Sequence, residues 1–583
     1  LEVLSAGSAF FHWFRLNIRD NFGTLALLLA ACLLLFSFAV VFAENEYASL
    51  RRMFGDGRFA VMLSELVTSA TLFAVPSFLM GLIYSELMQR IADAGGSLGK
   101  ASAVNTLGSA LAAPVWVVFL FPTIGSKWVL MLIIAGYLFL AQIRILWTAV
   151  AGVSIVGFAL LLPSNYSLFR ESAAASAWLN EGVMATVTVR RDETGRRSLY
   201  VNHRFQMGGT GSTAAEQRHA DIPLLLHGHA KRALFLGLGT GISMGAARYH
   251  EGLRVDGVEL LPGVIKSLPQ FAPENGDPET LPNFRIYTAD ARRFVRCTTN
   301  QYDVIVADLF NPAHDGIGLL YSEEHFRAVK QRLQQGGLFC QWLPLYQMDN
   351  QTLRSIIATF LHVYEHSDAF LLRLNVDTPV LGLIGSDREL NFASGYSPMD
   401  EKLSEHLRQI GLADSLRLLG GYLGGTKELK RYAENARINT DTFPHLIFDA
   451  PVFSYNRNAA SYATLTNLLF EIPISLPILL HEPGAGFTES LKRFMMARNR
   501  YLEGLVRESE GRGSEAIDLY IEASKVSADF TQGYARCISI VSGLAPTEHQ
   551  SAVDLLKRLI QAQPDRILGK ELLDRLTLKL PKP

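Results

Sequence analysis

Residues 24–43, TLALLLAACLLLFSFAVVFA, carry no charge over a length that crosses a bilayer. Further apolar stretches follow near 59–84, 103–121, 127–143 and 145–162. On this length criterion the pattern predicts about five transmembrane helices, forming a helical domain over 1–162. The first stretch is too long for the apolar region of a signal peptide. Loops with Arg51, Arg52, Arg58, Arg90, Lys100 and Lys127 punctuate the spans too evenly to fix an orientation. Glu65 lies inside the second span, where an acid is costly. The small-residue run NTLGSALAA (105–113), with Gly108 and Ala112 four apart, predicts close helix packing.

After Pro163 the pattern becomes that of a soluble protein. Two β-like runs, 183–191 and 197–206, flank DETGRR, which reads as a hairpin; they define a linker and β-hairpin domain over 163–230. From 232 to 385, apolar strands alternate with helical stretches: ALFLGLG, RVDGVEL, FRIYTAD, YDVIVAD, GGLFCQWL and PVLGLIGS. That alternation predicts βαβ units and a Rossmann-like parallel sheet. The α/β domain runs over 231–450 and includes a polar helical annex ending in INTDTFPHLIF. The remaining residues, 451–583, read as a helical region, whose helix pairs have the mid-thirties spacing of tetratricopeptide-type repeats or form a plain helical cap.

Composition narrows this picture. A chain of 583 residues is long enough for roughly three or four domains. The net charge of −1 gives no electrostatic footprint for nucleic acid. Cys32, Cys297, Cys340 and Cys537 are far apart and form no CxxC pair, so they read as reduced, packed thiols. The sequence starts at Leu1 without a methionine, which is compatible with further segments upstream.

The chemistry-bearing residues fall at strand ends. LFLGLGTGIS puts Gly237, Gly239 and Gly241 where a strand feeds a helix, so the backbone can approach a ligand closely and a helix N-terminus faces it. Ile242 stands where a dinucleotide-binding loop wants its third glycine, which disfavours a pyrophosphate reader. Glu259 ends the next strand and is placed to accept both hydroxyls of a ribose. Asp290, followed by Ala291, ends the third and is placed at an adenine edge. Asp308 ends the fourth, within VADLFNPAHDG. One glycine loop and three acids at successive carboxyl ends face a single crevice of an open sheet.

With these motifs in hand, residues 196–385 resemble the spermidine synthase (aminopropyltransferase) family, a branch of the S-adenosylmethionine methyltransferase fold with a β-hairpin domain in front. GLGTG, VELL, DARRF, YDVIVADLFNP and GGLFCQW carry the resemblance. The membrane helices, NTLGSALAAP and INTDTFP resemble the fused membrane subgroup of that family. The resemblance implies that Gln206 and Glu259, with Leu260 beside it, hold the nucleoside, that Asp290 and Ala291 hold the adenine, and that Asp308 is the catalytic carboxylate. Gly237, Gly239, Thr240, Gly241 and Asn311 complete the expected binding set. No metal and no cofactor is implied beyond S-adenosylmethionine, or its decarboxylated form, as substrate.

Three departures from the family pattern matter. Thr240 stands where the family's glycine loop carries an Asp that grips the donor's free amine, and Asn311 replaces the second acid, which holds the acceptor diamine. Ala215-Glu216-Gln217 replaces a Tyr-His-Glu stretch, and a later Tyr-Pro-x-Tyr-Pro segment is missing. A desolvated diammonium without counter-charges is costly, so putrescine is a doubtful acceptor, and without the loop Asp nothing at Thr240 repels a donor carboxylate. The expected reaction is release of methylthioadenosine from either donor form, by transfer to an amine or by intramolecular cyclisation. The alternatives are a methyltransferase on the same fold, a nucleoside-binding membrane sensor or transporter, and a scaffold assembled through the C-terminal helices. The expected partners are the nucleoside and the lipid bilayer, with homo-oligomerisation through membrane or C-terminal helices left open. Because the donor is a cytosolic metabolite, the expected location is the bacterial inner membrane with the catalytic domain facing the cytoplasm.

Overall fold

The computed structural model describes residues 2–13, 22–55, 57–141, 157, 176–203, 205–314, 316–392, 400–454, 459–479, 486–544 and 548–578. The fifth apolar stretch, 145–162, lies almost wholly outside the described residues. The chain forms two compact units, Leu1–Gly211 with Leu261–Phe271, and Ser212–Leu260 with Ala272–Pro583.

In the first unit, three helices among the described residues are long and apolar enough to cross a membrane: Phe22–Phe54, Arg58–Asp93 and Leu98–Leu140. The third is not one rod. Gly125 sits inside it at φ 81° and ψ 158°, outside helical geometry, between the stretches that the sequence separates at 121 and 127. At 1.5 Å per residue its 43 residues would extend about 64 Å, roughly twice a hydrocarbon core, so the broken helix has length for two passes. Close packing occurs elsewhere than at NTLGSALAA. A Cβ on Gly7 would come within 2.3 Å of the Phe78 carbonyl oxygen, and one on Gly81 within 2.2 Å of that of Leu4. Glycine at both positions therefore lets the helix Glu2–Trp13 lie directly on Arg58–Asp93. Gly108, by contrast, has nothing within 4 Å among the described residues, and the side chains along 102–111 are exposed. Glu65 is likewise exposed.

The same unit carries a four-stranded antiparallel meander: β1 (Ser176–Glu181), β2 (Thr186–Arg191), β3 (Arg197–Val201) and β4 (Phe205–Gly209). The hairpin at DETGRR forms between β2 and β3. Its turn is held by Asp192 Oδ1, which accepts from the Thr194 and Arg196 amides at 2.9 and 2.8 Å. Val187, Val189 and Leu199 pack on Val264 and Phe271 from the inserted segment. Glu181 accepts from the Ser126 amide (2.8 Å) and hydroxyl (2.6 Å), tying β1 to the residue after the Gly125 break.

The second unit is built on β5 (Arg232–Leu236), β6 (Arg254–Glu259), β7 (Phe284–Thr288), β8 (Tyr302–Ala307), β9 (Leu333–Pro344), β10 (His366–Leu371), β11 (Val380–Ser386) and β12 (Tyr422–Gly424). Their spatial order is β12-β10-β11-β9-β8-β5-β6-β7. The central strands are apolar on both faces. Leu234, Leu236, Ile305 and Phe339 pack into one buried cluster, while Ala233, Phe235, Val304 and Cys340 pack into another, as a doubly covered parallel sheet requires. The five strands β7-β6-β5-β8-β9 are parallel. PVLGLIGS departs from the expected parallel arrangement: β11 pairs antiparallel with both β9 and β10. The eight residues from Leu372 to Pro379 are too few for a parallel crossover.

Five helices close the chain: Phe487–Ser509, Gly513–Val526, Thr531–Leu544, His549–Ala562 and Ile567–Leu578. The first belongs to the core of the unit. Leu491 and Met495 enter one sheet cluster, Leu502 and Val506 the other, and buried Arg498 donates to the Gly420 and Tyr422 carbonyls at 2.8 and 2.6 Å. The region is helical as expected. The tetratricopeptide-type reading of its helix spacing is not supported.

Candidate active site

In an open parallel sheet, ligands bind beyond the carboxyl ends where the strand order reverses. Here the reversal lies between β5 and β8, and Gly237 and Asp308 follow those strands. Gly237 has φ 82°, and a Cβ there would meet the Phe310 ring at 3.0 Å and Asp308 Cβ at 3.2 Å. Gly239 and Gly241 are also left-handed, at φ 51° and 75°. The helix that follows, Ile242–Ala246, has only five residues. Close backbone approach, and not a helix dipole, is therefore what the loop supplies.

Along the carboxyl edge, Asp290 follows β7, Glu259 ends β6, Gly237 follows β5 and Asp308 follows β8. Glu259 is buried and accepts from the Leu238 amide at 3.1 Å, which fixes the glycine loop to the next strand. Leu260 beside it is exposed. Asp290 caps the helix Ala291–Cys297, its Oδ1 accepting from the Arg293 amide at 2.7 Å. Ala291 packs against the core below.

The Asp308 side chain retains 24% of its exposure, so it is reachable from the crevice. Its Oδ1 accepts from the Leu309 amide at 2.8 Å and lies 3.6 Å from His219 Nδ1. His219 is held firmly: its ring stacks on Trp342 at 5.1 Å, Trp342 Nε1 donates to its carbonyl at 3.0 Å, and Ser243 Oγ lies 3.3 Å from Nδ1. Tyr321 donates to the Phe310 carbonyl. Burial, reinforced by the Asp308 charge, pushes the Tyr321 phenol well above its usual range, so it stays a neutral donor.

Two residues of the expected binding set have different surroundings from those anticipated. Asn311 Oδ1 accepts from the Ala313 amide at 2.9 Å, so the amide closes a turn on its own backbone. The buried Thr240 hydroxyl donates to Glu216 Oε2, and Glu216 Oε1 accepts from Ser212 Oγ at 2.7 Å. The place opposite Thr240 is therefore not free of negative charge: the loop lost a carboxylate, and the helix Thr213–His227 supplies one. Gln206 lies in the other unit, exposed on β4, with Tyr200 donating to it at 3.2 Å.

Glu216, His219, Tyr346 and Arg373 were not among the residues picked from the sequence. Tyr346 follows β9 and Arg373 follows β10, at the same edge of the sheet as Asp308. Burial raises the Tyr346 phenol, with Arg373 pulling it down and Asp308 pushing it up, so all three share one electrostatic neighbourhood. The rule that found Asp308, a polar residue just past a strand end, would have found Arg373 had β10 been recognised. Among the described residues, no three His, Cys, Asp or Glu side chains gather as a metal-ligating group. An opening of about 460 Å³ lies elsewhere, lined by Arg354, Ser355, Arg437 and His445. Ser355 donates there to the Arg437 carbonyl (2.8 Å), and His445 and Arg437 both reach Asp449, while the buried Asn350 Oδ1 has no hydrogen-bond partner among the described residues.

The sheet order and glycine loop define a Rossmann-like α/β class of domain. Residues 214–366 match the spermine/spermidine synthase domain family, which bears out the family resemblance over that segment. A polyamine aminopropyltransferase of Shigella boydii is 32% identical over 120 residues, covering 20% of this chain and 41% of the relative. One from Serratia proteamaculans is 31% identical over 120 residues, 20% of this chain and 42% of the relative. The chain thus spans about two-fifths of the length of the curated relatives it matches. A probable spermidine synthase from Corynebacterium glutamicum is similar in structure at a TM-score of 0.35 and 17% identity, covering 46% of this chain and 97% of that one.

Proposed function

We propose that the crevice binds a sulfonium nucleoside, S-adenosylmethionine or its decarboxylated form, and cleaves it with release of 5′-methylthioadenosine. The observation that carries this reading is the reachable Asp308 carboxylate at the β5/β8 reversal, beside a glycine loop fixed by Glu259. The ribose lies at Glu259 and the adenine toward Asp290, which brings the sulfonium to Asp308. The nucleophile's lone pair attacks the tail carbon bonded to sulfur. That C–S bond breaks, and its electron pair stays on sulfur as a neutral thioether. With an amine nucleophile, Asp308 takes the proton and His219 holds its carboxylate in place.

Intramolecular attack by the tail's own carboxylate or amine is the second reading. Asn311 favours it, because its side chain is committed to the Ala313 turn and offers an acceptor ammonium no counter-charge. Closing a ring also has the proximity advantage of a unimolecular step. Incubation of the full-length chain with each donor, with and without a panel of di- and polyamines, separates the two. Methylthioadenosine formed at equal rates without amine means cyclisation, whereas amine-dependent release means transfer. No methylthioadenosine under any condition removes both.

The apolar helices support an integral membrane protein of the fused subgroup with its catalytic unit at the cytoplasmic face, where the donor is made. An organisation into a membrane region (1–162), a hairpin domain (163–230), a catalytic domain (231–450) and a helical region (451–583) is part of the same proposal.

A further inference from the structure

Away from the crevice, three phenylalanines gather at the opening lined by Arg354, Ser355, Arg437 and His445. Phe443, Phe448 and Phe470 are 65%, 73% and 87% exposed, and among the described residues no other phenylalanine or tryptophan of that unit is exposed. Each stands next to a group at the opening. The Phe443 ring lies 6.5 Å from that of His445. Phe448 precedes Asp449, which accepts from Arg437 at 2.5 Å and lies 3.1 Å from His445 Nδ1. Phe470 precedes Glu471, whose carboxylate pairs with Arg354 at 2.5 Å. One exposed phenylalanine is ordinary, but three around one opening form a patch that calls for a covering surface.

The charges beside this patch favour an anionic cover. Lys427, Lys430 and Arg431 are exposed on the helix Thr426–Tyr432, which leads into the lining residues 434–437. Arg431 donates to the Glu471 carbonyl at 3.0 Å, so this helix abuts the Phe470 end of the patch. The neighbouring acids are mostly engaged: Glu471 and Asp449 with Arg354 and Arg437, and Glu428 with the Gly425 amide at 3.1 Å. Glu434 is the one other acid within 426–437. Exposed aromatic rings beside exposed cations suit a lipid surface, where rings enter the boundary between head groups and acyl chains and cations stay level with the phosphates. The buried Asn350 Oδ1 lines the opening without a hydrogen-bond partner among the described residues, and a head-group hydroxyl can donate to it.

The chain itself brings this occupant close. Its three helices of membrane-spanning length tether the patch near a bilayer, and a tether turns a weak surface attraction into sustained contact. We propose that this face rests on an anionic phospholipid surface, with Phe443, Phe448 and Phe470 at the acyl boundary and Lys427, Lys430 and Arg431 against the phosphates. The proposal rests on the integral-membrane reading of the helices and adds a second, peripheral contact. It takes no part in bond breaking.

The test is photolabelling of the full-length chain in nanodiscs that carry a phospholipid with a diazirine in its acyl chain. The discs are phosphatidylcholine alone or phosphatidylcholine mixed with phosphatidylglycerol, and adducts are mapped by mass spectrometry. The helices Phe22–Phe54 and Arg58–Asp93 should be labelled in both, which controls for insertion. The segments bearing Phe443, Phe448 and Phe470 should be labelled at least about fivefold more in the anionic discs, the factor that one basic residue contributes at such a surface. Lys427→Gln with Lys430→Gln should reduce that difference, and Phe448→Ser with Phe470→Ser should lower labelling of the patch; the parent comparison decides the matter without either variant. Labelled helices with unlabelled phenylalanine segments overturn the proposal, as does equal labelling in the two compositions. An amine cross-link joining Lys427 or Lys430 of two copies, without lipid adducts at the patch, gives the face to a second copy and also overturns it. If the helices stay unlabelled too, the integral-membrane reading falls with it.

Discussion

Asp308 is positioned both by its own loop and by the helix packed against it. Leu309 and His219 address one carboxylate oxygen, and His219 is in turn fixed by Trp342. Asp308→Asn should preserve donor binding while lowering methylthioadenosine release about a hundredfold or more, the usual contribution of a positioned base; rate assays on matched preparations check this. His219→Gln should lower the rate less and leave the donor's KM nearly unchanged. Gly237→Ala should cost about 1–2 kcal/mol from its left-handed backbone alone. It should also weaken donor binding, because the new methyl meets Phe310 and Asp308. Thermal melts with and without donor separate the two effects. The sequence made Asp308 and Glu259 readable because a buried apolar strand that stops at an acid is unusual chemistry. It could not make Asn311 readable in the same way. A substrate contact and an Asx turn use the same side chain, and only the Ala313 amide at 2.9 Å distinguishes them.

INTDTFP, a motif without an assigned role at first, is a staple. Asn439 is fully buried, and its Nδ2 donates to the Gly318 and Tyr321 carbonyls at 2.9 and 3.2 Å. Asp441 accepts from Arg292, Arg296 and Ser322 at 2.6 to 2.8 Å. The segment thereby pins the loop that follows VADLFNPAHDG to the helix that Asp290 caps. Burial would raise the Asp441 carboxyl, but the hydrogen bonds from Arg292, Ser322 and Arg296 outweigh it and hold it at about 2. A carboxyl depressed in the folded state contributes stability that is complete above its unfolded value, near 4, and is lost as pH falls toward 2. Asp441→Asn should therefore lower Tm by a few degrees at pH 7, with the difference from the parent shrinking below pH 4. A difference constant from pH 7 to pH 2.5 would rule this out. Asp221 is a second buried acid, flanked by His250 and His406 at 2.8 Å each. Removing it as Asp221→Ala should cost about 3–5 kcal/mol, as breaking a buried pair does; chemical denaturation measures it. The alternating apolar strands were legible because their period is local. The strand β10 was not, since HSDAFL opens on three polar residues and pairs antiparallel, a register set by distant partners.

The whole chain combines a helical region with membrane-spanning length and a unit whose sheet needs the C-terminal helices. Truncation at residue 486 would remove Leu491, Met495, Arg498, Leu502 and Val506 from the sheet's own core. Such a chain should aggregate or be degraded, so the C-terminal region cannot be cut there as a separable assembly module; recovery of a folded, active truncation would contradict this packing. Helices of membrane-spanning length were legible in sequence because twenty uncharged residues have few other uses. The break at Gly125 was legible only as a gap between two apolar stretches, and the Gly7–Gly81 approach not at all, because it depends on which helices meet. The proposed reaction comes down to which bond at sulfur is broken. Full-length protein, parent and Asp308→Asn, should be incubated with S-adenosylmethionine and with decarboxylated S-adenosylmethionine, and the released nucleoside identified by mass spectrometry. Methylthioadenosine from the parent and its near absence with Asp308→Asn is the expected result. S-adenosylhomocysteine as the sole product, or methylthioadenosine release undiminished in Asp308→Asn, would contradict it.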